Sequence, residues 1–527
     1  MKTKLALIVF AVNCAAALCV WGCMYVFITL DERMHDAYNT EEPARDGKSG
    51  VKKDSPDDLR IDSNMLTDKN KFNSTLESLK KKYRRITTAE SLAYLQVPEA
   101  VFFRSLIDYF FLSHVLSGTE VVLDDAAVKD FLKQGILVYS MDKKYPFMKR
   151  SIYLDKRHKT SNKPTIAAGT NIIIIFVESL SQFFLREDVH GVKGLTPNIK
   201  DMEKHSLSFT DMHNSAFPTV KGLIAALGSS IYLLDESIGG TRIPIPCRFL
   251  FLSNILKSLD YTAVHIQAGS ERFIGMKDFF IQREGYDQFY GSESFILNNI
   301  GNLSKGFGVD DSSVFNYTVD WLEKYSAKKP FLLTISTINM HPPFKVTDRN
   351  PNAGNSDLLD SLYSTDKSFG KFWEYFKKSK YCNNTMVILT ADHAMGNNKD
   401  YLAFIKDYGN YARPFFDRIP CFMYLPGGAW AGRSNNVNCV NLDILPTILD
   451  MMNKDLANPF MGLTIFSERN YIANRQADGY RSKKSVSEIK AVYDEKQIEK
   501  AKKILSFYLH LYRENRILPD GYKVKFE

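Results

Sequence analysis

The stretch NIIIIFVE, residues 171–178, decides the fold that we predict for this chain. Its continuous run of β-branched and aromatic residues is typical of a strand that is buried on both faces of a parallel sheet. The run ends in an acidic residue, Glu178. Because open α/β sheets bind ligands at the carboxyl ends of their strands, we take Glu178 as the anchor of a candidate active site. The alternative is an acid that only stabilises the start of a following helix.

Apolar runs and helical patterns alternate through the middle of the chain. Helices are predicted at residues 197–205, with Thr196 as N-cap and Pro197 in the first position, and at residues 311–325. Strands are predicted at residues 172–177, 263–267, 331–337, 386–390 and 421–425. This succession predicts an α/β fold with a mostly parallel sheet sandwiched by helices.

Composition describes a globular chain and excludes some partners. Of the 527 residues, 45% are hydrophobic and 24% charged, enough for one large core or two moderate ones. The net charge of +8 is modest, and the basic residues are spread out rather than clustered. Nucleic acid is therefore not an expected partner.

The N-terminus has the pattern of a membrane anchor. Residues 5–30 carry no charge and follow Lys2 and Lys4. A run of this length can cross the ~30 Å hydrocarbon core, and the lysines should stay in the cytoplasm. We therefore predict a single-pass protein of the inner or cytoplasmic membrane with a periplasmic or extracellular catalytic domain. The alternative is a signal peptide that is cleaved near residues 15–17.

Four segments follow from these patterns. Residues 1–33 form the cytoplasmic stub and transmembrane anchor, 34–160 a polar linker with an amphipathic helical segment, 161–475 the catalytic domain, and 476–527 a helical tail. Four cysteines lie outside the anchor, and they allow three disulfide pairings or simple burial as small apolar residues: Cys247, Cys382, Cys421 and Cys439.

The segment AFPTVKGLIAALG, residues 216–228, supplies a candidate nucleophile. Its apolar spacing predicts a helix that begins near Pro218 and Thr219. Unpaired N–H groups and the helix dipole at that end favour an alkoxide and an incoming phosphate or sulfate. Thr219 is therefore a candidate nucleophile, and simple N-capping is the alternative.

Two further strand ends carry reactive side chains. Asp392 and His393 follow the strand MVILT, and His341 follows the strand FLLTIST. An adjacent Asp and His can ligate one divalent metal, so that with Glu178 and Thr219 they form a set of four donors. Such a metal lowers the pKa of a hydroxyl nucleophile, and His341 is a candidate for protonating a leaving group or holding an anionic oxygen.

Eight segments in order carry a resemblance: NIIIIFVESL, FPTVKG, GYDQFYG, FGVDDSSVF, STINMHPPF, LTADHAMG, RIPCFMYLPG and LDILPTILD. Together they resemble the sulfatase-like branch of the alkaline phosphatase superfamily. Within that branch the chain is most similar to lipoteichoic acid synthases and to related phosphoglycerol and phosphoethanolamine transferases. The resemblance covers roughly residues 145–470.

The resemblance implies a metal-dependent transferase. Glu178, Thr219, Asp392 and His393 match the family's ligands for a divalent metal, Mn²⁺, Mg²⁺ or Zn²⁺. Thr219 matches the nucleophile that becomes phosphorylated, and His341 matches the histidine that contacts the head group or assists the leaving group. The implied donor is a phospholipid, which loses diacylglycerol before the phospho-head group passes to an acceptor hydroxyl.

Two departures from the lipoteichoic acid synthases redirect the expected acceptor. Their Phe-Trp-Asn-Arg run, which binds glycerophosphate, corresponds here to residues 272–276, RFIGM, without its Trp and Arg. Those synthases also usually begin with several membrane spans, whereas one span is predicted in this sequence. We therefore expect transfer to a cell-envelope glycan, such as a lipopolysaccharide, a capsule or a periplasmic glucan. Arg242, Arg248 or Lys221 is the candidate replacement for the phosphate-binding arginine.

Two other functions compete with this prediction. A sulfatase-fold phosphodiesterase or sulfuric ester hydrolase would use water as the acceptor, but a sulfatase requires Cys or Ser in a Cys/Ser-X-Pro-X-Arg context. Here the nucleophile position is Thr219 and the proline precedes it. A lipid-binding protein without catalysis should lack a metal donor, whereas all four are present.

Overall fold

The computed structural model describes residues 144–153, 163–231, 247–297, 303–304, 308–408, 412, 414, 417–467, 508, 511–512 and 514–526. All of them belong to the second of two compact units, residues 108–527. The predicted anchor, the linker up to residue 143 and most of the predicted helical tail lie outside the described residues. Within the described ranges, no helix is both long and apolar enough to span a bilayer.

A central sheet of eight strands organises the described chain. The strands of the structure are β1 (Asn171–Val177), β2 (Leu207–Phe209), β3 (Met212–His213), β4 (Thr262–Gln267), β5 (Gln288–Tyr290), β6 (Leu303–Ser304), β7 (Gly308–Val309), β8 (Phe331–Ser336), β9 (Thr385–Ala391), β10 (Cys421–Tyr424), β11 (Ser434–Asn435) and β12 (Cys439–Val440). The order in the large sheet is β11-β2-β10-β9-β1-β8-β4-β5. Strand β10 is antiparallel to both neighbours, and the other pairings are parallel.

The five predicted strands are confirmed, each within one residue at either end. All seven residues of β1 and all seven of β9 are buried. Burial of an aliphatic or aromatic side chain contributes roughly 1.5–3 kcal/mol, so the NIIIIFV run is a major source of stability. The register pairs Phe176 of β1 with Ser336 of β8 and with Thr390 of β9, which aligns the carboxyl ends of the three strands.

Helices cover the sheet on both faces, since every residue of its two central strands is buried. They are α1 (Glu187–His190), α2 (Pro197–Lys204), α3 (Thr219–Gly228), α4 (Leu252–Lys257), α5 (Met276–Asp278), α6 (Ser292–Leu297), α7 (Asp311–Lys324), α8 (Asp357–Lys378), α9 (Lys399–Ile405) and α10 (Ile444–Met451). Two groups of helices pack together: α8 contacts α7 and α2, and α3 contacts α4 and α10. The predicted α/β fold with a mostly parallel, helix-covered sheet is confirmed.

The start of α2 shows how distant residues complete a local prediction. Thr196 is the N-cap and Pro197 follows it, as predicted, but the Thr196 side chain makes no capping hydrogen bond. Asp366 of α8 accepts hydrogen bonds from the backbone N–H groups of Asn198 at 3.1 Å and Ile199 at 2.8 Å. A carboxylate from another helix therefore satisfies the donors that a local cap would otherwise bind.

No disulfide joins the four cysteines outside the predicted anchor, all of which lie in the described part of the chain. Cys247, Cys421 and Cys439 are buried and Cys382 is partly buried. Of the two readings of these residues, the structure therefore bears out small apolar residues rather than disulfides.

Candidate active site

The candidate site lies where three adjacent strands end. Glu178 follows β1 directly, and Asp392 and His393 follow β9 directly on one side of it. On the other side β8 leads through Thr337 to His341. The three histidine and acid positions predicted from separate strand ends are therefore brought to one edge of the sheet, because β9, β1 and β8 are parallel neighbours.

Helix α3 brings Thr219 to this edge. The helix begins at Thr219, with Pro218 as N-cap, as the sequence predicts. The Thr219 hydroxyl donates a hydrogen bond of 3.0 Å to Oε2 of Glu178. The close approach depends on Gly222, because a Cβ atom there would lie 2.1 Å from the carbonyl oxygen of Asp392. Thr219 itself is half-buried.

Glu178 is held by neighbours on both sides. Its side chain is 5% exposed, and Oε1 accepts a hydrogen bond of 2.7 Å from the Ser179 hydroxyl. Its backbone N–H donates to the Thr337 hydroxyl at 3.0 Å. The backbone of Ser179 is left-handed, with φ of 55°, and its N–H donates to Oδ1 of Asp392 at 3.0 Å. The turn after β1 therefore ties the two carboxylates together.

Three buried side chains form a set of donors that fits a metal ion. Glu178, Asp392 and His393 each offer a ligand atom, and these atoms lie within 4.8 Å of one another. Nε2 of His393 lies 3.3 Å from Oδ2 of Asp392 and 3.7 Å from Oε1 of Glu178. The Asp392 Oδ2 atom is buried and has no hydrogen-bond partner. An orphaned carboxylate oxygen beside an imidazole is costly unless a cation binds there, so the residues fit a divalent metal.

The second ring nitrogen of His393 is fixed by the backbone. Nδ1 lies 2.9 Å from the carbonyl oxygen of Ala394, so that its N–H donates there and Nε2 is left as the ligand atom. The ring also packs edge-on against Phe217 at 4.5 Å between ring centroids. These two contacts orient the imidazole toward the carboxylates.

The two carboxylates have opposite pKa shifts. Burial and the neighbouring Glu178 carboxylate raise the pKa of Asp392 to about 7. Burial acts in the same direction on Glu178, but the imidazoles of His393 and His341 and the hydroxyls of Ser179 and Thr219 outweigh it and lower the pKa of this carboxylate. Two carboxylates that repel each other in a buried pocket form an environment that attracts positive charge.

His341 completes the edge of the site. It is half-buried, lies close enough to Glu178 to influence its pKa, and its Nδ1 is 2.7 Å from the carbonyl oxygen of Pro342. The Nδ1–H group donates to that carbonyl, because a carbonyl oxygen can only accept.

The three candidates for a phosphate clamp have different positions. Lys221, in the first turn of α3, is 3% exposed, and its role as a phosphate clamp stays a prediction. Arg248 donates to the Asp520 carboxylate at 2.9 Å and to the Pro519 carbonyl at 2.5 Å, so the C-terminal segment holds it. Arg242 lies outside the described residues. In the RFIGM stretch, Phe273 is 56% exposed.

Sequence reasoning missed several residues that build the site. Ser179 and Thr337, next to strand ends, offered a signal because a hydroxyl there can reach a neighbouring turn. Asn441 offered none: its amide donates to the Asp392 carbonyl at 3.2 Å, and its Oδ1 accepts the Ser215 N–H at 2.9 Å. Asn214 accepts the N–H of Ala394 at 3.1 Å. These amides connect loops that are far apart in the chain.

Comparisons with known proteins find related sequences. Lipoteichoic acid synthase-like YvgJ of Bacillus subtilis is 23% identical over 284 residues, covering 50% of this chain and 44% of that protein. Phosphoglycerol transferase I of Escherichia fergusonii is 24% identical over 331 residues, covering 59% of this chain and 40% of that protein. The matches span less than half the length of either relative.

The fold is shared with a solved structure. A protein in the alkaline phosphatase superfamily from Vibrio parahaemolyticus superposes with a TM-score of 0.58 at 19% identity, covering 75% of this chain and 98% of that one. The model of the family described as Sulfatase matches residues 170–454, more than half of the chain. The resemblance inferred from the eight motifs is thereby confirmed, and the chain belongs to the sulfatase family.

Proposed function

We propose that this protein is a membrane-anchored, metal-dependent transferase. It moves a phosphoglycerol or phosphoethanolamine head group from a phospholipid, through a phosphothreonine at Thr219, to a cell-envelope glycan. The observation that carries the proposal is the Thr219 hydroxyl at the start of α3, hydrogen-bonded at 3.0 Å to one member of the buried set Glu178, Asp392 and His393.

The donor set supports a divalent metal held by Glu178, Asp392, His393 and the Thr219 oxygen. When bound, the metal supplies a lowered hydroxyl pKa and neutralises charge on the group under attack. Its identity among Mn²⁺, Mg²⁺ and Zn²⁺ is part of the proposal. Glu178, whose Oε2 accepts the Thr219 proton in a hydrogen bond, orients the nucleophile and attracts that proton as the oxygen attacks.

The proposed reaction has two steps. In the first, Thr219 Oγ1 forms a bond to the phosphorus of the donor lipid, and the bond to the diacylglycerol oxygen breaks while His341 donates a proton to that oxygen. In the second, the acceptor oxygen forms a bond to the phosphorus and its proton passes to His341. The bond from the phosphorus to Thr219 Oγ1 breaks, and Thr219 takes its proton back from Glu178. The N-terminal end of α3 stabilises the negative charge on the transferred phosphoryl oxygens.

The relatives support the choice of head group and reaction class. Their names include a phosphoglycerol transferase and a lipoteichoic acid synthase-like protein. The stretch RFIGM, which lacks the Trp and the Arg of the Phe-Trp-Asn-Arg run, favours a glycan acceptor over growth of a polyglycerolphosphate chain. The uncharged residues 5–30 support a single anchor, with residues 161–475 as the catalytic domain outside the cytoplasm.

A second candidate is a phosphodiesterase of the same fold, in which water replaces the glycan. Thr219 in place of a Cys or Ser disfavours hydrolysis of sulfuric esters. The two candidates share the first step and differ in whether water or a glycan hydroxyl attacks the phosphothreonine. Both outcomes can therefore be measured on one preparation of the protein.

Intact-mass measurement on the full-length protein tests the proposal. The protein in detergent is incubated with Mn²⁺ and either phosphatidylglycerol or phosphatidylethanolamine. We expect a mass gain equal to one phospho-head group on Thr219, with release of diacylglycerol. Thr219→Ala should form no adduct, and Thr219→Ser, which keeps a hydroxyl, should form one. An adduct that persists in Thr219→Ala would show that the nucleophile is a different residue; no adduct from any lipid, with hydrolysis of soluble esters, would refute the transferase.

A further inference from the structure

We propose that Asp311 is a positioning residue that holds the loop carrying His341 against the site. The inference rests on the proposed function of His341 as the group that acts on the leaving group and the acceptor. Asp311 belongs to the segment FGVDDSSVF, one of the motifs of the sequence that the proposed chemistry does not use.

The Asp311 carboxylate is buried and binds the loop with both oxygens. Asp311 is the first residue of α7, and its side chain is fully inaccessible to solvent. Oδ1 accepts hydrogen bonds from the backbone N–H groups of Ile338 at 2.7 Å and Asn339 at 3.2 Å. Oδ2 accepts one of 2.7 Å from the Thr365 hydroxyl of α8. The carboxylate therefore joins the two helices to the loop that follows β8.

The capping of α7 does not require this side chain. Asp310 is the N-cap, and its carboxylate accepts the N–H of Ser313 at 3.0 Å. The Asp311 carboxylate points instead to Ile338 and Asn339, and the Asn339 side-chain oxygen returns a contact to the Asp311 N–H at 3.3 Å. Its hydrogen bonds belong to the loop rather than to its own helix.

The loop is tied at successive residues between β8 and His341. The Thr337 N–H donates to the Phe176 carbonyl at 3.1 Å, and the Thr337 hydroxyl accepts the N–H of Glu178 at 3.0 Å. Asp311 binds the next two N–H groups, and the His341 N–H donates to the Ile338 carbonyl at 2.8 Å. The position of His341 relative to Glu178 therefore depends on Ile338, which Asp311 holds.

Loss of the carboxylate leaves two backbone N–H groups of the loop without an acceptor. Water must enter or the loop must move to satisfy them, since buried donors are rarely left unpaired. A shift of about 1 Å in a reacting group costs about 100-fold in rate. We expect Asp311→Ala to slow formation of the Thr219 adduct by about that factor.

The matched control is Asp311→Asn. Its side-chain oxygen can still accept from Ile338 and Asn339, and its amide can donate to the Thr365 oxygen, because a hydroxyl both donates and accepts. We expect Asp311→Asn to keep the rate within a few-fold of the wild type. A comparable loss of rate in both variants would overturn the inference. It would show that adduct formation depends on the negative charge of Asp311 and not on its hydrogen bonds to the loop.

A double-mutant cycle with His341→Ala separates positioning from general stability. If Asp311 acts through His341, Asp311→Ala should have little further effect on the adduct rate in the His341→Ala background. Multiplying losses would overturn the inference and leave the proposed function intact. The affinity for Mn²⁺, measured by calorimetry in buffer without a chelator, should be similar in the wild type, the two single variants and the double variant, since no proposed metal donor is changed.

Hydrogen exchange of the full chain provides a readout that needs no activity. Peptides covering residues 337–341 should exchange faster in Asp311→Ala than in the wild type, and those covering β1 should not. Unchanged exchange over residues 337–341 would overturn the inference alone. A wild-type protein that forms no phosphothreonine would instead overturn the proposed function, and with it the role assigned to His341.

Discussion

Replacement of Gly222 by alanine should displace Thr219 from the other proposed metal donors, Glu178, Asp392 and His393. Gly222 lies three residues after Thr219 on α3, where the helix touches the turn after β9. An alanine Cβ at this position would lie 2.1 Å from the Asp392 carbonyl oxygen and 2.7 Å from its carbonyl carbon. These are backbone atoms, so no side-chain rotation can relieve the contact, and the helix or the turn must move.

The size of that movement follows from the contact distance. Ordinary van der Waals contact begins at 3.4 Å, so the helix and the turn must separate by about 1 Å or more. The same separation stretches the bridge in which Asn441 donates to the carbonyls of Asp392 at 3.2 Å and Gly222 at 3.5 Å. Because Thr219 moves with the helix, its hydroxyl is displaced from Glu178. We expect a rate loss of about 100-fold and a loss of about 1–3 kcal/mol in unfolding free energy.

The assay is the rate of adduct formation on Thr219, followed by intact mass, alongside urea unfolding of the same preparation. Gly269→Ala is the matched control, because its Cβ would meet the nearest atom, Nε2 of Gln267, at 3.7 Å. It should keep both the rate and the stability. A Gly222→Ala protein that phosphorylates Thr219 at the wild-type rate would refute the claim that this approach of helix and turn sets the site's geometry.

Three other predictions concern a contact that supports Glu178, the proposed metal, and the pH dependence of stability. Thr337→Val removes the acceptor of the buried Glu178 N–H and should lower the unfolding free energy by about 1–3 kcal/mol. Thr337→Ser keeps a hydroxyl and should not lower it. Equal urea midpoints for the wild type and Thr337→Val would contradict the role of this contact. Mn²⁺ at a hundred times its dissociation constant should stabilise the folded protein by about 2.7 kcal/mol, measured by calorimetry. Asp392→Asn should abolish that gain. Stabilisation of the variant by Mn²⁺ would exclude Asp392 as a donor. Burial raises the pKa of Asp366 from 3.8 to about 6, against the lowering effect of hydrogen bonds from Ile199 and Asn198. The folded state therefore holds this proton more tightly, and the contribution of Asp366 to stability falls as the pH rises from about 4 to about 6. Relative to Asp366→Asn, the wild type should lose about 3 kcal/mol over that range in urea unfolding; a gain would show that capping of α2 by the charged form dominates.

Local patterns predicted the parts of the fold that local physics decides. A strand buried on both faces needs a continuous apolar run, so β1, β4, β8, β9 and β10 could be located within one residue. The start of α3 at Thr219 followed from its apolar spacing and the preceding proline. The reactive residues were also visible, because they stand at the carboxyl ends of these runs.

Contacts between distant segments could not be read in the same way. The cap that Asp366 provides for α2 and the amide bridge of Asn441 each join residues far apart in the chain. The burial of Lys221 was also not predicted. Short polar residues have no periodic signal, and their partners depend on how the helices pack. The membrane anchor, the linker up to residue 143 and Arg242 lie outside the described residues and stay predictions.

The sequence by itself determined that strands end in Glu178, in Asp392 with His393, and near His341, because burial of each strand is written in consecutive residues. Only the tertiary structure decided that these three ends are neighbours, through the order β9-β1-β8, and that α3 approaches within hydrogen-bonding distance. The physical reason is that strand order and helix packing depend on the sum of many long-range contacts. An isolated carboxylate after a strand thus becomes a candidate metal donor only when the sheet places the other donors beside it.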